Sequence, residues 1–297
     1  MSKEQLNNQA DRSKRARDNR RRSRMYTLTR FLFIGFFLIF VGSVVGIGLQ
    51  TWQDWHDAQA YVQLNDLLTE PSSPAPSQAD DPEDPSKPTI PEKETEAEPV
   101  DTTGVLAKYQ TVYSMNPDMF GWLSIDGMVF SYPVMYTPED EEYYLRRGFD
   151  GAYARSGVPF IDADCEPGCD NYLIYGHNMT NGTMFAQLLA YKYESFWKEH
   201  PIIHFDTLYE EGEYEVVAAF YSRVFYKYES NVFRFYEYTD LSDPDDFSKY
   251  VGEVFDLALY DTDADVRYGD ELITLITCSY DNRIENERFV VVARKVT

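Results

Sequence analysis

Residues 272–278 read Leu-Ile-Thr-Leu-Ile-Thr-Cys, a short apolar run of strand length that ends in a thiol. The segments at 172–175, 214–221 and 289–296 are similar runs, rich in Tyr, Val, Ile and Phe. They follow one another without the strand–helix–strand rhythm of a doubly wound sheet. The pattern therefore predicts a mainly β fold, either a barrel or a sandwich.

Turn and helix signals surround these strands. Residues 123–134 alternate apolar with polar positions around an Asp-Gly pair, which predicts a β-hairpin. Residues 243–258 begin with Asp-Pro and then repeat apolar residues at helical spacing, which predicts a long helix before the strand at 272–278. A shorter helix is predicted near 184–189.

The charge is divided sharply along the chain. The 297 residues carry a formal net charge of −23. Residues 1–30 hold ten basic and three acidic residues, a net charge of +7, which leaves −30 for the remaining 267 residues. Because phosphates need compensating cations, so acidic a body argues against nucleic acid as a partner.

Residues 31–49, FLFIGFFLIFVGSVVGIGL, form a run of nineteen residues without a charge. At a rise of about 1.5 Å per residue, a helix of this length crosses the hydrocarbon core of a bilayer. The basic residues directly before it predict a cytoplasmic N-terminus and an extracellular position for the residues after the run. A cleaved signal peptide is the alternative, but residues 50–53 make a poor cleavage site. We therefore expect a retained single-pass anchor in the cell membrane.

A proline-rich segment comes after the predicted anchor. Eight of the fifteen prolines lie within residues 71–99, among Ser, Asp and Glu, a composition that favours an extended stalk without a core. From Val105 the chain returns to alternating apolar segments, enough for the core of one domain. The predicted organisation is a basic cytoplasmic tail (1–30), a transmembrane helix (31–49), a juxtamembrane segment with a stalk (50–104) and a folded domain (105–297).

Three side chains that can carry chemistry are placed at strand ends. Cys278 ends the strand quoted above, His177 follows the strand at 172–175, and Arg288 opens the last strand. A thiol, an imidazole and a guanidinium can serve as nucleophile, proton shuttle and oxyanion stabiliser in acyl transfer. The residue types alone leave a structural interpretation open: a buried cysteine, a turn histidine and a salt-bridged arginine.

Several motifs together resemble one protein family. Tyr-Gly-His-Asn-Met at 175–179, Thr-Leu-Ile-Thr-Cys at 274–278 and Arg-Phe-Val-Val at 288–291 are similar to the signature of sortases, the membrane-anchored cysteine transpeptidases of Gram-positive bacteria. Further segments are similar to class B sortases: Asn116-Pro117-Asp118, Gly121-Trp122, Tyr132-Pro133-Val134 and Tyr143-Tyr144-Leu145. The resemblance covers about residues 105–297. It implies an eight-stranded β-barrel with added N-terminal helices and a long helix before the cysteine strand.

The resemblance also implies a mechanism. Cys278 would attack the threonyl carbonyl of a C-terminal sorting motif in a secreted protein and form a thioester. His177 would protonate the leaving amine and later accept a proton from the incoming amine, while Arg288 and a nearby backbone N–H stabilise the oxyanion. Since a free thiol has a pKa near roughly 8.5, a minor thiolate population or a His-paired thiolate must attack. No cofactor is implied.

The acceptor and the reaction outcome have alternatives. In most of the family the acceptor is an amine of a peptidoglycan precursor or cross-bridge, which anchors surface proteins. Some class B members instead join pilin subunits through a lysine. A thiol hydrolase would use the same three residues but let water resolve the thioester, whereas a tethered, non-catalytic binding module would have no use for the three together.

Four further residues are expected to contact the sorting peptide. Tyr175 and Thr277 flank the catalytic positions and are expected to shape the groove. Ile276 and Glu141 occupy positions where class B members often have serine and asparagine. Both departures fall where the peptide is expected, so an Asn-Pro-x-Thr-Asn-like motif and a Pro-x-Thr-Gly-like motif remain open.

Cys165 and Cys169 form a separate pair in the segment Cys-Glu-Pro-Gly-Cys. Outside the membrane such a pair would close a small disulfide loop beside His177. Zinc is a weaker alternative because two thiols without a further Cys or His pair make a poor ligand set. Two reduced cysteines are the third alternative.

No metal site is predicted elsewhere. Asp261, Asp263 and Asp265 alternate like the start of a calcium loop, but Val266 occupies the turn position that needs glycine. An acidic surface loop is therefore predicted there.

Overall fold

The computed structural model describes residues 3–69, 100–281 and 284–296. The chain divides into two compact units, Met1–Trp55 and His56–Thr297. Helix α1 (Lys3–Thr69) makes up the first unit and begins the second.

One segment of α1, Ile34–Leu68, is the only described helical stretch long and apolar enough to cross a membrane. It overlaps the predicted anchor at 31–49. The predicted stalk falls mainly on residues 70–99, which lie outside the described residues.

The described part of the second unit contains eight strands. They are β1 (Met119–Ile125), β2 (Phe130–Met135), β3 (Phe160–Ile161), β4 (Asn171–Tyr175), β5 (Ile202–Thr207), β6 (Glu213–Arg223), β7 (Leu272–Cys278) and β8 (Glu287–Lys295). These strands close into a barrel in the order β1-β2-β3-β4-β7-β8-β6-β5. The helices of this unit after α1 are α2 (Gln110–Met115), α3 (Glu194–Glu199) and α4 (Pro244–Leu257), with 3₁₀ helices at Tyr143–Arg146, Phe185–Lys192 and Phe235–Glu237. The predicted mainly β fold with an eight-stranded barrel is confirmed.

Strand β7 lies between β4 and β8, and its residues from Leu272 to Thr277 are all buried. Burial on both faces explains why its sequence is a continuous run without polar alternation. Strands β4 and β7 pair in parallel, with Tyr175 opposite Ile276. Parallel strands need a long crossover between them. Here that crossover contains α3, β5, β6 and α4, and it brings the C-terminal ends of both strands to the same end of the barrel.

Helix α4 has the start that its sequence indicates. The carboxylate of Asp243 caps it by accepting hydrogen bonds from the backbone N–H groups of Asp245 (2.8 Å) and Asp246 (3.3 Å), and Pro244 begins the first turn. Its buried residues are Phe247, Tyr250 and Val254. The predicted long helix before the cysteine strand is thus present, whereas the predicted short helix near 184–189 is a 3₁₀ helix.

The hydrophobic core takes in two side chains from the end of α1. Tyr61 and Leu64 are buried, and the Tyr61 hydroxyl donates to the backbone oxygen of Gly157 (2.6 Å). The amide of Asn65 donates to the backbone oxygen of Ser131 (3.1 Å). This end of α1 therefore packs on the barrel, although it precedes the predicted domain start at Val105.

Candidate active site

The ends of three neighbouring strands bring the candidate catalytic residues together. Cys278 is the last residue of β7 and lies opposite Arg288 on β8 in the antiparallel register. Tyr175, the last residue of β4, is paired with Ile276 in the parallel register. His177 lies two residues beyond Tyr175, as Cys278 lies two residues beyond Ile276. His177 and Cys278 therefore lie at the same height along the strand direction, at the end of the barrel where β4 and β7 finish.

Three hydrogen bonds hold the segment after β4 against the end of β7. The backbone N–H of Gly176 donates to the oxygen of Ile276 (3.1 Å), and the hydroxyl of Thr277 donates to the oxygen of Gly176 (2.8 Å). The amide of Asn178 donates to the carbonyl of Cys278 (2.9 Å). The two residues that flank His177 are thus tied to the strand that carries the thiol.

The imidazole of His177 has a defined hydrogen bond. Its Nε2 lies 2.8 Å from the backbone oxygen of Leu145. Because a carbonyl oxygen can only accept, Nε2 carries the proton and Nδ1 is the basic nitrogen of the neutral ring. Burial lowers the pKa of His177 below 6.5, and the positive charges of Arg146 and Arg155 lower it further, against the opposing effect of the bond to Leu145. The ring is therefore mainly neutral at pH 7.

The guanidinium of Arg288 is fixed through one of its nitrogens. Nη1 donates to the backbone oxygens of Asn286 (3.3 Å) and Glu287 (3.0 Å). A guanidinium has five N–H donors, of which three belong to Nε and Nη2. Among the described residues none accepts from these three donors, so Arg288 can offer them to an incoming oxygen atom.

All three candidate catalytic residues line one pocket, with a volume of about 480 Å³. The other residues expected at the peptide groove, Tyr175, Ile276, Thr277 and Glu141, line the same pocket. The side chain of Ile276 is buried, and the hydroxyl of Thr277 is already bonded to the backbone of Gly176. Thr277 therefore helps position the histidine segment.

Tyr175 is held by a carboxylate. Its hydroxyl donates to Oδ2 of Asp162 at 2.8 Å. Burial and the negative charge of Asp162 both raise the pKa of Tyr175, so the hydroxyl keeps its proton. Its side chain is thus fixed in the pocket wall.

Three residues of the site are not predicted by sequence patterns. Asn178 stands directly after His177, and that adjacency is the signal that could have singled it out. Leu145 lies in the segment Tyr143-Tyr144-Leu145, which is similar to class B sortases. Its contribution to the site is a backbone carbonyl, however, and any residue type has one. Asp162 reaches Tyr175 only because β3 pairs with β4, which short-range patterns do not reveal.

Cys165 and Cys169 lie outside this pocket, in the loop between β3 and β4. Both are free thiols in the structure, and the disulfide between them remains a prediction. Among the described residues, no group of three or more His, Cys, Asp or Glu side chains is arranged to hold a metal ion.

Comparison with known proteins identifies relatives of this chain and of its fold. A family model described as a sortase domain matches residues 123–296. Sortase B of Listeria monocytogenes is 34% identical over 185 residues, which cover 62% of this chain and 72% of that protein. The structure of a Staphylococcus aureus sortase B–substrate complex is similar with a TM-score of 0.57 and 27% identity, covering 65% of this chain and 86% of that one. A structure of sortase B complexed with triglycine has a TM-score of 0.56 and 27% identity, covering 64% of this chain and 86% of that one.

Proposed function

Because this chain belongs to the sortase family, in class B, and is therefore a transpeptidase, we propose that it anchors secreted proteins to the cell wall. In this proposal it cleaves a C-terminal sorting motif after threonine through a thioester on Cys278. It then transfers the protein to an amine of a peptidoglycan precursor or cross-bridge. The observation that supports this most is that Cys278, His177 and Arg288 line one pocket at the ends of adjacent strands.

The protonation of His177 supports a specific order of proton transfers. A neutral ring with a basic Nδ1 can take the thiol proton as sulfur attacks the threonyl carbonyl. The resulting imidazolium then gives that proton to the leaving amine, so that the thioester forms and the peptide bond breaks. In the second half the neutral ring accepts a proton from the incoming amine as the amine nitrogen attacks the thioester. The C–S bond then breaks, and the imidazolium returns this proton to the departing sulfur of Cys278.

Arg288 serves in this mechanism as the oxyanion stabiliser. Its position opposite Cys278 brings the guanidinium to the side of the thiol on which β8 lies. Two backbone carbonyls hold Nη1, which leaves the donors on Nε and Nη2 for the negatively charged oxygen of the tetrahedral intermediate.

The groove residues are proposed to divide the recognition of the sorting peptide. Tyr175 and Ile276 would form an apolar wall, and the position of Ile276 is the one where class B members often have a serine. The exposed carboxylate of Glu141 at the pocket would face the peptide in place of an amide. A pocket with an apolar wall and a negatively charged rim favours a peptide that differs from the Asn-Pro-x-Thr-Asn-like motif.

We further propose that residues 31–49 anchor the protein in the cell membrane. The N-terminal tail would lie in the cytoplasm and the catalytic domain outside, carried on residues 50–104. The apolar helix at Ile34–Leu68 and the membrane association of the family support this placement. Protease added to intact spheroplasts should remove the catalytic domain and spare the N-terminal tail. Protection of the domain would contradict the proposal.

Transpeptidation is tested with the full chain in detergent micelles. Quenched fluorescent peptides of both motif types are incubated with triglycine or with a lysine-containing peptide, and the products are identified by mass spectrometry. The variants are Cys278→Ala, His177→Gln and Arg288→Gln. His200→Gln and Arg267→Gln are matched controls, since both residues lie outside the pocket.

An amine-linked product that disappears in Cys278→Ala would support the transpeptidase. Arg288→Gln should lower kcat by about 10²- to 10³-fold, as expected for the loss of one oxyanion donor. Transfer to the lysine peptide alone would favour pilin polymerisation, and hydrolysis despite added amine would favour a thiol hydrolase. Cleavage that survives Cys278→Ala would refute the mechanism.

A further inference from the structure

The loop between β3 and β4 carries two thiols that the proposed mechanism does not use. Cys165 is fully buried, and the half-buried Cys169 lies near enough that the neighbouring Cys165 thiol raises its pKa. The Cys165 sulfur also lies 3.5 Å from the oxygen of Asn171 and accepts the N–H of Leu173 at 3.4 Å. The Cys165 sulfur therefore packs against the start of β4, with Cys169 four residues further along the chain.

The turn between the cysteines brings them together. Gly168 has a φ of 90°, and its N–H donates to the hydroxyl of Tyr172 at 2.7 Å. The N–H of Cys169 donates to the oxygen of Glu166 at 2.9 Å, which closes the turn. Because the turn folds the five-residue segment from Cys165 to Cys169 back on itself, it favours the short Cα–Cα separation that a disulfide requires.

The same loop reaches the candidate active site through Asp162. One carboxylate oxygen of Asp162 accepts the N–H of Asp164 (3.0 Å), and its backbone oxygen accepts the N–H of Cys165 (3.0 Å). The other carboxylate oxygen accepts the hydroxyl of Tyr175, and both Asp162 and Tyr175 line the pocket. A constraint on the loop therefore reaches Tyr175 in the pocket wall through the side chain of Asp162.

We propose that Cys165 and Cys169 are an oxidisable pair whose disulfide fixes this loop and, through Asp162, the position of Tyr175 in the pocket. The oxidised protein binds its peptide more tightly because less of the pocket has to be ordered on binding. The effect on peptide binding rests on the function proposed above; formation of the disulfide does not.

The oxidation is a thiol–disulfide exchange with an external disulfide. The neighbouring Cys165 thiol and burial raise the pKa of Cys169, so the exchange is carried out in alkaline buffer, where hydroxide removes its proton. The Cys169 sulfur then attacks the external disulfide, which releases one thiol. Cys165 then loses its proton, and its sulfur attacks that of Cys169, which expels the second thiol. Two S–H bonds are replaced by one S–S bond, and the external disulfide is reduced to two thiols.

The surroundings of Cys169 favour a positively charged oxidant. It lines a solvent-open depression of about 460 Å³ together with four carboxylates, those of Asp164, Glu166, Asp170 and Asp240. These charges attract a cationic disulfide such as cystamine and repel an anionic one such as oxidised glutathione. Cystamine is therefore the probe of choice.

The test uses the full chain in detergent micelles with Cys278→Ala, so that only the two loop thiols react. After cystamine treatment we expect both thiols to resist alkylation, the mass to fall by two hydrogens, and one cross-link to join Cys165 to Cys169. Hydrogen exchange should slow in the loop, and dithiothreitol should reverse all of these changes. Cys169→Ser, which leaves the buried thiol in place, should behave like the reduced protein.

Peptide binding is then compared between the two redox states. The oxidised protein should bind the preferred peptide of the panel about fivefold more tightly. With Asp162→Asn the disulfide should still form, but this gain in affinity should be lost. Thiols that remain alkylatable, or a disulfide that leaves both exchange and affinity unchanged, would overturn the proposal. If no sorting peptide binds either form, the proposed function fails, and slower exchange at Tyr175 on oxidation still decides the coupling.

Discussion

Replacing Gly176 with alanine should damage both stability and catalysis. Gly176 lies between Tyr175 and His177, and a Cβ at this position would stand 2.4 Å from Cγ of Phe185 and 2.6 Å from its Cδ1. Since carbon atoms in contact are normally about 3.5–4.0 Å apart, the ring or the strand must move by roughly 1 Å.

The ring has little room to move. Phe185 is fully buried and stacks on Phe130 with a centroid distance of 5.5 Å. Its backbone N–H also donates to the oxygen of His177 at 3.0 Å, so a shift of Phe185 pulls on the catalytic segment. Overpacking of this kind costs about 1–3 kcal/mol, which in a domain of this size lowers Tm by about 2–12 °C. A displacement of His177 by about 1 Å should reduce kcat/KM by about 10- to 100-fold.

The assay combines thermal unfolding followed by circular dichroism with peptide cleavage kinetics. Gly252→Ala is the matched control, because Gly252 is exposed within α4 and a Cβ there would meet nothing within 4 Å, so that variant should be unchanged or slightly stabilised. Adding Phe185→Leu to Gly176→Ala should restore part of the activity, which a double-mutant cycle measures. A Gly176→Ala protein with Tm within about 1 °C of wild type and unchanged kcat/KM would refute this steric reasoning.

The burial of His177 and the hydrogen bonds of Asn178, Tyr175 and Asp243 each give a further prediction. Because burial lowers the pKa of His177, its contribution to stability is present above about pH 6.5 and is lost as the pH falls through the lowered pKa. The free energy of unfolding in urea should therefore fall more between pH 8 and about pH 5 in the wild type than in His177→Gln. Asn178→Ala, which removes the bond to the cysteine carbonyl, should lower kcat by about tenfold and Tm by about 2–4 °C, with thiol alkylation as an independent readout. Tyr175→Phe, which removes the bond to Asp162, should raise KM by about three- to tenfold with little change in kcat; a change in kcat alone would count against a binding role. Asp243→Ala removes the cap of α4 and should cost about 1 kcal/mol in urea unfolding without affecting peptide cleavage.

The strands with the clearest apolar runs could be predicted from the sequence. The run at 272–278 coincides with β7, and the run at 172–175 lies within β4. The hairpin at 123–134 corresponds to β1 and β2, whose turn contains Gly127 at a φ of 77°. In these segments the local sequence predicts the same structure that the fold requires. The strands β4 and β7 are buried within the barrel sheet, and β1 and β2 are joined by a tight turn.

Two strands could not be predicted, for different reasons. β3 has only two residues, Phe160–Ile161, and periodicity has no meaning at that length. β5 (Ile202–Thr207) directly follows Pro201 and has the half-buried His204 between two buried residues. The proline and the histidine both weaken the apolar pattern that would predict a strand. Both strands are specified mainly by their neighbours in the barrel.

The candidate catalytic residues could be named from motifs, but their connections could not. The hydrogen bonds of His177 to Leu145 and of Tyr175 to Asp162 involve a backbone oxygen and a carboxylate brought near by tertiary structure. The burial of Tyr61 and Leu64 in the core could not be predicted either, because the proline-rich segment separates them in sequence from the rest of the domain.

The parallel pairing of β4 with β7 has a consequence for the order in which the protein matures. Asn178 and Cys278 are 100 residues apart in the sequence, and contacts of such separation are among the slower ones to form during folding. An incompletely folded chain thus carries the thiol without the imidazole beside it, so its chemistry remains off until the barrel closes. During refolding, the activity of Cys278 in thioester formation should appear later than the strand structure. Its appearance would therefore report the last stage of folding.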